Sequence, residues 1–201
     1  MESVVALVLF DRRVSGHCWK VRLMLSFCGL AYQRREIDIL AGAARTTEFL
    51  TLNPRGEVPV LAADGMTLFD SQAILGWLAR RHRPEWLPLD PDAFARTLVW
   101  LSVAGADMTA GIRAARAVLK FGLPGDLATA QAIARRTLGT VEAGLAGHDW
   151  LGGSRPTIAD VAIYPYASLA DEAGLSLTEW PAVKAWAERF EALPGYVAQE
   201  A

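Results

Sequence analysis

The sequence predicts a two-part fold: a small mixed sheet covered by helices, in the order βαβαββα, followed by an all-helical bundle. Three observations carry that prediction. Strand-like and helix-like apolar patterns alternate up to about residue 82, no strand signal occurs after residue 93, and the intervening "RPEWLPLDPDA" is proline-rich and aperiodic. The expected boundaries are 1–83 for the first domain, 84–93 for a linker and 94–201 for the second domain.

The opening run "VVALVLF" is short and β-branched, the mark of a buried strand. After the loop "DRRVSG", "HCWKVRLMLSFCG" carries apolar residues at helical spacing and closes on Gly29. "AYQRREIDI" reads as a second strand, and the helix between the two makes them parallel neighbours joined by a right-handed crossover. "ARTTEFLTLN" is a short helix stopped by Asn53-Pro54. Two extended pieces follow, "EVPVLAA" and "MTLFD", joined at Asp64-Gly65, a hairpin signal that makes them antiparallel. "DSQAILGWLA" then opens a helix that runs to about His82.

In the second half, "AFARTLVWLSVAGADMTAGIRAARAVLKFG" reads as one long helix ended by Gly122 and Pro124. "DLATAQAIARRTLGTVEAGLAG" is a second, capped by Asp126, "TIADVAIYPYASLADEAG" a third, and "PAVKAWAERFEAL" a fourth with Pro181 in its first turn. Trp77, Trp100 and Trp186 fall in apolar stripes and are expected in the core.

A chain of 201 residues with 52% hydrophobic content can bury a substantial core. Its net charge of −2, with acids and bases spread along it, gives no basic field for nucleic acid or anionic lipid, and neither partner is expected. No apolar run approaches the roughly 20 residues of a membrane helix, and the first residues lack the basic start and cleavage site of a secretory signal, so a cytoplasmic location is expected. Cys18 and Cys28 lie ten residues apart on one helix, which separates them by roughly 15 Å and rules out a bridge between them. His17, His82 and His148 fit no zinc spacing, and no metal is expected.

Three short motifs could carry chemistry. "NPRGEVPVL" places Pro59 inside a would-be strand, where it cannot donate to the ladder. With a cis Val58-Pro59 bond, Val58 would turn its N–H and C=O outward, free to pair with an extended peptide; with a trans bond, the segment is an edge strand. Asp70-Ser71 stands at a helix start, where free N–H groups suit a carboxylate, Ser71 adds a donor and Asp70 suits an ammonium group. That is a receptor for an α-amino acid head group, or else Asp70 is only a cap. Ser15, between the first strand and first helix, sits where open α/β sheets bind ligands and could donate to a thiolate, lowering the thiol pKa; it too could be only a cap. "VSGHC" is no nucleophile elbow, so a serine hydrolase is set aside. Thr157 and Asp160 have capping-box spacing and read as a folding signal.

In order and spacing, "SGHCWKVRL", "NPRGEVPVL", "DSQAILGWLA" and "PTIADVAIYP" resemble the motifs of the cytosolic glutathione transferase family across nearly the whole chain. The resemblance implies a thioredoxin-like first domain, a helical second domain, a homodimer, and glutathione as co-substrate. Ser15 would occupy the catalytic serine place of the theta and zeta classes, Val58 would pair with the cysteinyl unit, and Asp70-Ser71 would hold the γ-glutamyl end. Glu57, His17 and Arg45 complete the implied glutathione contacts. Arg12, Trp100, Asp107, Arg113 and Arg116 are candidates for an electrophile site. The loop looks most like the zeta class, which isomerises maleylacetoacetate, but His17 stands in place of that class's cysteine, with Cys18 one position further on. Conjugation of glutathione to small hydrophobic electrophiles is the expected activity; the alternatives are a glutathione-dependent isomerase or disulfide reductase, and a non-catalytic glutathione-binding module.

Overall fold

A computed structural model describes residues 7–63 and 65–200. The start of the expected first strand, residues 4–6, and Asp64 of the expected hairpin turn lie outside the described residues. The chain divides into two compact units, Met1–His82 with Gly195–Ala201, and Arg83–Pro194.

The first unit follows the order read from the sequence: β1 (Val8–Asp11), α1 (Gly16–Phe27), β2 (Gln33–Glu36), α2 (Thr47–Leu52), β3 (Val60–Ala63), β4 (Met66–Phe69) and α3 (Ser71–His82). The sheet order is β2-β1-β3-β4. β1 and β2 are parallel, as a helical crossover demands. β1 pairs antiparallel with β3, and β3 with β4. α1 packs on α3, and Leu9, Leu61, Ile74, Leu75 and Leu78 are fully buried. A second cluster gathers Phe10, Cys18, Ala44, Phe49, Val58 and Val60, with the Phe10 and Phe49 rings edge to face at 6.1 Å. This is the thioredoxin-like arrangement.

The second unit is helical: α4 (Pro91–Gly105), α5 (Ala114–Phe121), α6 (Leu127–Gly144), α7 (Ile158–Ala167) and α8 (Pro181–Glu191). Thr157 and Asp160 form the expected capping box at the start of α7. Asp160 also accepts from Leu151 N–H and Trp186 Nε1, both at 3.0 Å, so one buried carboxylate ties three segments together. The Tyr164 ring stacks on Phe190 at 4.2 Å in the same core. Asp126 caps α6 and Pro181 opens α8 as expected.

Several expectations are corrected. The single long helix after residue 93 is broken: α4 stops at Gly105, one π-helical turn spans Thr109–Arg113, and α5 follows. The cause is close packing on α6, where a Cβ at Gly111 would lie 2.8 Å from the Ala134 backbone. Within the expected linker, Pro84–Trp86 form a 3-10 turn with Trp86 buried, and α4 already begins at Pro91. Trp186 is fully buried, but Trp77 and Trp100 are half-buried; Trp19, Trp86 and Trp150 are the other buried indoles. Helical periodicity marks a face, and Trp77 and Trp100 lie near its edge.

Candidate functional site

Strand register collects the three motifs at one end of the sheet. Phe10 pairs with Val60, so the loop Arg12–Ser15 leaves β1 where Val58 enters β3. Val60 also pairs with Phe69, so Asp70 follows β4 at the same end.

The Val58-Pro59 bond is cis. Among the described residues, no backbone group takes up the N–H or C=O of Val58. Asn53, buried, shapes the turn leading in: its Nδ2 donates to Glu57 O at 2.7 Å and its Oδ1 accepts from Arg55 N–H. Gly56 has φ 62°, and a Cβ there would meet Arg45 Nη1 and Ala44 O. Arg45 is exposed and donates to Arg55 O at 3.2 Å. The Glu57 side chain is exposed and pairs with Arg55 at 2.9 Å.

Asp70 caps α3. Its Oδ1 accepts from Gln72 N–H at 2.9 Å and Ala73 N–H at 3.5 Å. It does so from φ 72°, the only positive φ outside glycine among the described residues. The left-handed region is tolerated best by Asn and Asp after glycine. Buried Ser71 donates to Gln72 Oε1 at 2.7 Å, and its Oγ stands 3.5 Å from His17 Nδ1. That contact links the first turn of α1 to the first turn of α3.

Ser15 is the N-cap of α1. Its Oγ accepts from Cys18 N–H at 3.3 Å, which leaves the hydroxyl proton for another acceptor. The Ser15 N–H donates to Arg12 O at 2.9 Å. Arg12, half-buried, donates its own N–H to Cys18 Sγ. Cys18 is fully buried; burial first, and the charge of Asp11 second, push its thiol well above the ordinary range. It is no thiolate nucleophile at neutral pH.

Three charged residues that motif reading passed over support this end of the unit. Asp11, fully buried, takes both oxygens to Arg22 Nη1 at 2.8 Å and pairs with Arg34 Nε at 2.5 Å. Arg22 Nη2 donates onward to Arg13 O, fixing the loop before Ser15. Lys20 is fully buried, and burial brings its pKa down to about 7 against the attraction of Asp70. The signal was present: Lys20 and Arg22 interrupt the apolar run "WKVRLML".

The matches to family models decide the assignment. Residues 14–81 match the glutathione S-transferase N-terminal domain and residues 84–189 the glutathione S-transferase C-terminal domain. The chain belongs to the glutathione S-transferase family. A maleylacetoacetate isomerase of Pseudomonas aeruginosa is 30% identical over 90% of each chain. The disulfide-bond oxidoreductase YfcG of Escherichia coli is 30% identical over 90% of this chain and 87% of its own. Among solved structures, a glutathione S-transferase from Pseudomonas fluorescens superposes with a TM-score of 0.92 at 32% identity, covering 98% of this chain and 99% of the other. Ure2p in complex with glutathione gives a TM-score of 0.86 at 26% identity, covering 97% and 92%. The family uses glutathione as co-substrate, and this transferase fold is present along nearly the whole chain.

The candidates in the helical unit separate. Arg116 is buried, ion-paired to Glu172 beside Lys120, and lies over the Phe121 ring; these contacts engage it within the helical unit. Asp107 precedes the π-turn and Arg113 ends it, Arg113 exposed and Asp107 half-buried, 3.9 Å from Arg136. Trp100 lines a cavity of about 260 Å³ with Arg96, Gly144, His148, Trp150 and Leu151. Among the described residues, no cluster of His, Cys, Asp or Glu could hold a metal, and no helix is long and apolar enough to cross a membrane.

Proposed function

We propose that this transferase family member binds reduced glutathione at the sheet end shared by Ser15, Val58 and Asp70-Ser71, and adds its sulfur to a small hydrophobic electrophile. The observation that carries the reading is the register: Phe10 opposite Val60 opposite Phe69 sets the three motifs side by side. The Val58 N–H and C=O pair with the cysteinyl unit as an added strand. The glutamyl carboxylate takes the place of Gln72 as acceptor from Ser71 and lies at the positive end of α3, with its ammonium group on Asp70. His17, Arg45 and Glu57 border this peptide.

The thiol proton leaves to solvent, and the Ser15 hydroxyl donates to the sulfur anion beside the N-terminus of α1. A donor to the charged form stabilises it and lowers the thiol pKa. The thiolate then attacks an electrophilic carbon, forming a carbon–sulfur bond while the electron pair departs with a leaving group or into a conjugated carbonyl. Arg12, next to the Ser15 loop in the same unit, is assigned to electrophile choice. A cytoplasmic homodimer completes the proposal.

A second reading is supported by the isomerase name of the Pseudomonas aeruginosa relative. The same thiolate would add to a cis double bond conjugated to a carbonyl, allow rotation and be expelled. Calorimetric binding of glutathione, followed by turnover of a chlorodinitrobenzene and of maleylacetoacetate, separates the readings. Conjugation supports the first and isomerisation alone the second; no binding overturns both.

A further inference from the structure

The last residues of the chain leave the helical unit and fold onto the first unit. Trp19 Nε1 donates to Val197 O at 2.8 Å. Gln199 Nε2 donates to Val14 O at 2.9 Å. Glu200 holds Arg34 Nη1 through both oxygens, at 2.6 and 2.7 Å, and lies 3.5 Å from Arg13 Nε. Arg34 continues to buried Asp11, and Asp11 to Arg22, whose Nη2 meets Arg13 O at 2.9 Å.

All these contacts converge on the loop Arg12–Ser15 or on what supports it. The peptide unit joining Val14 to Ser15 is held at both polar atoms: its C=O by Gln199, its N–H by Arg12 O. Rotation of that unit would swing the Ser15 side chain, and these two bonds oppose it. The Gln199 amide is fixed in turn by chemistry. Val14 O requires a donor, so Nε2 faces it, and Oε1 is left buried with no protein partner among the described residues. The buried Oε1 goes without a protein partner in exchange for the single bond at Val14.

We propose that Gln199 and Glu200 are positioning residues for Ser15: the C-terminal tail is a strap that sets where the Ser15 hydroxyl meets the sulfur of glutathione. The inference rests on the role assigned to Ser15. It adds a requirement that the four motifs of the family do not contain, because the strap lies beyond residue 189, where the family match ends.

The test compares the full chain with Gln199→Ala combined with Glu200→Ala, and with Gln199→Glu, which keeps the size but sets a carboxylate against Val14 O. Amide hydrogen exchange over Arg13–Ser15, the pKa of the bound glutathione thiol by thiolate absorbance, and kcat and KM are measured on each. We expect faster exchange, a thiol pKa raised toward that of free glutathione, and KM for glutathione unchanged because Val58 and Asp70-Ser71 are untouched. Turnover should fall about ten- to hundredfold, the scale on which a misplacement of about 1 Å acts. Gln199→Glu should be at least as impaired as the alanine variant, and serves alone if that variant fails to fold. Parent-like thiol pKa and kcat, or a change confined to KM, overturn the proposal. Ser15→Ala in the same titration separates the two failures. If Ser15→Ala raises the thiol pKa and the tail variants do not, the strap alone is wrong; if Ser15→Ala also leaves it unmoved, the Ser15 reading falls and the strap with it.

Discussion

Lys20 lies fully buried on α1 in the field of Asp70, the exposed carboxylate that caps α3. Burial disfavours the ammonium form, the attraction of Asp70 favours it, and burial wins, leaving the pKa at about 7 rather than its ordinary 10.5. A cation behind a site assigned to an α-amino acid head group is therefore half-titrated near neutrality.

This has a definite sign for stability. Between pH 7 and 10.5 the unfolded chain holds the Lys20 proton more often than the folded one, so this group makes stability rise with pH through that window; below it the burial penalty is fully present. Lys20→Met removes the dependence. Urea unfolding of parent and variant from pH 6 to 9 should show the variant's advantage shrinking as pH rises, with a slope approaching about 1.4 kcal/mol per pH unit. A difference that is flat with pH would refute the buried-ammonium account.

Asp70 is asked to be cap and receptor at once. Asp70→Asn tests this cleanly, because Asn tolerates φ 72° and keeps a capping oxygen while losing the charge. Thermal stability should change by less than about 1 kcal/mol, while glutathione affinity falls at least about tenfold, the scale of a lost charge-assisted hydrogen bond. Unaltered affinity would reduce Asp70 to a cap.

Cys18 should be silent toward thiol reagents. In the native protein at pH 8, half-buried Cys28 is labelled and Cys18 is not, because burial and Asp11 hold its thiol protonated. Cys18→Ala should retain conjugating activity. Rapid labelling of Cys18, or loss of turnover in the variant of a protein that still folds, would reopen thiol chemistry at this position.

Gly111→Ala probes the break in the helix. An added Cβ would stand 2.8 Å from the Ala134 backbone, which cannot swing aside as a side chain can. Stability should fall by about 1 to 3 kcal/mol, read by urea unfolding, with glutathione affinity in the folded protein unchanged. A neutral substitution would mean that the π-turn is not set by this contact.

Much of the site was legible because its features are local. A proline in a strand, an acid and a hydroxyl before a helix and a serine after a strand each report on their own few residues, and the order of elements follows from periodicity. Position in space was less legible. Lys20 and Arg22 are visible as charges in an apolar run, but only the fold shows that one is fully buried in the field of Asp70 and the other paired to Asp11. Gln199 and Glu200 carry no local pattern at all, since they act across some 185 residues of sequence on Val14 and its neighbours. The partner of Arg116 was not legible, because a lone arginine in a helix gives no sign of it and Glu172 lies 56 residues away. The π-turn escaped because helical periodicity persists through it, while the close approach of Gly111 to α6 is a tertiary fact.

The central claim is that the Ser15 hydroxyl stabilises the glutathione thiolate at the start of α1. Titration of bound glutathione by its thiolate absorbance, in parent and in Ser15→Ala, tests it most directly. The account predicts a thiol pKa below that of free glutathione in the parent, raised in Ser15→Ala with affinity nearly intact. An identical thiol pKa in both proteins would contradict it.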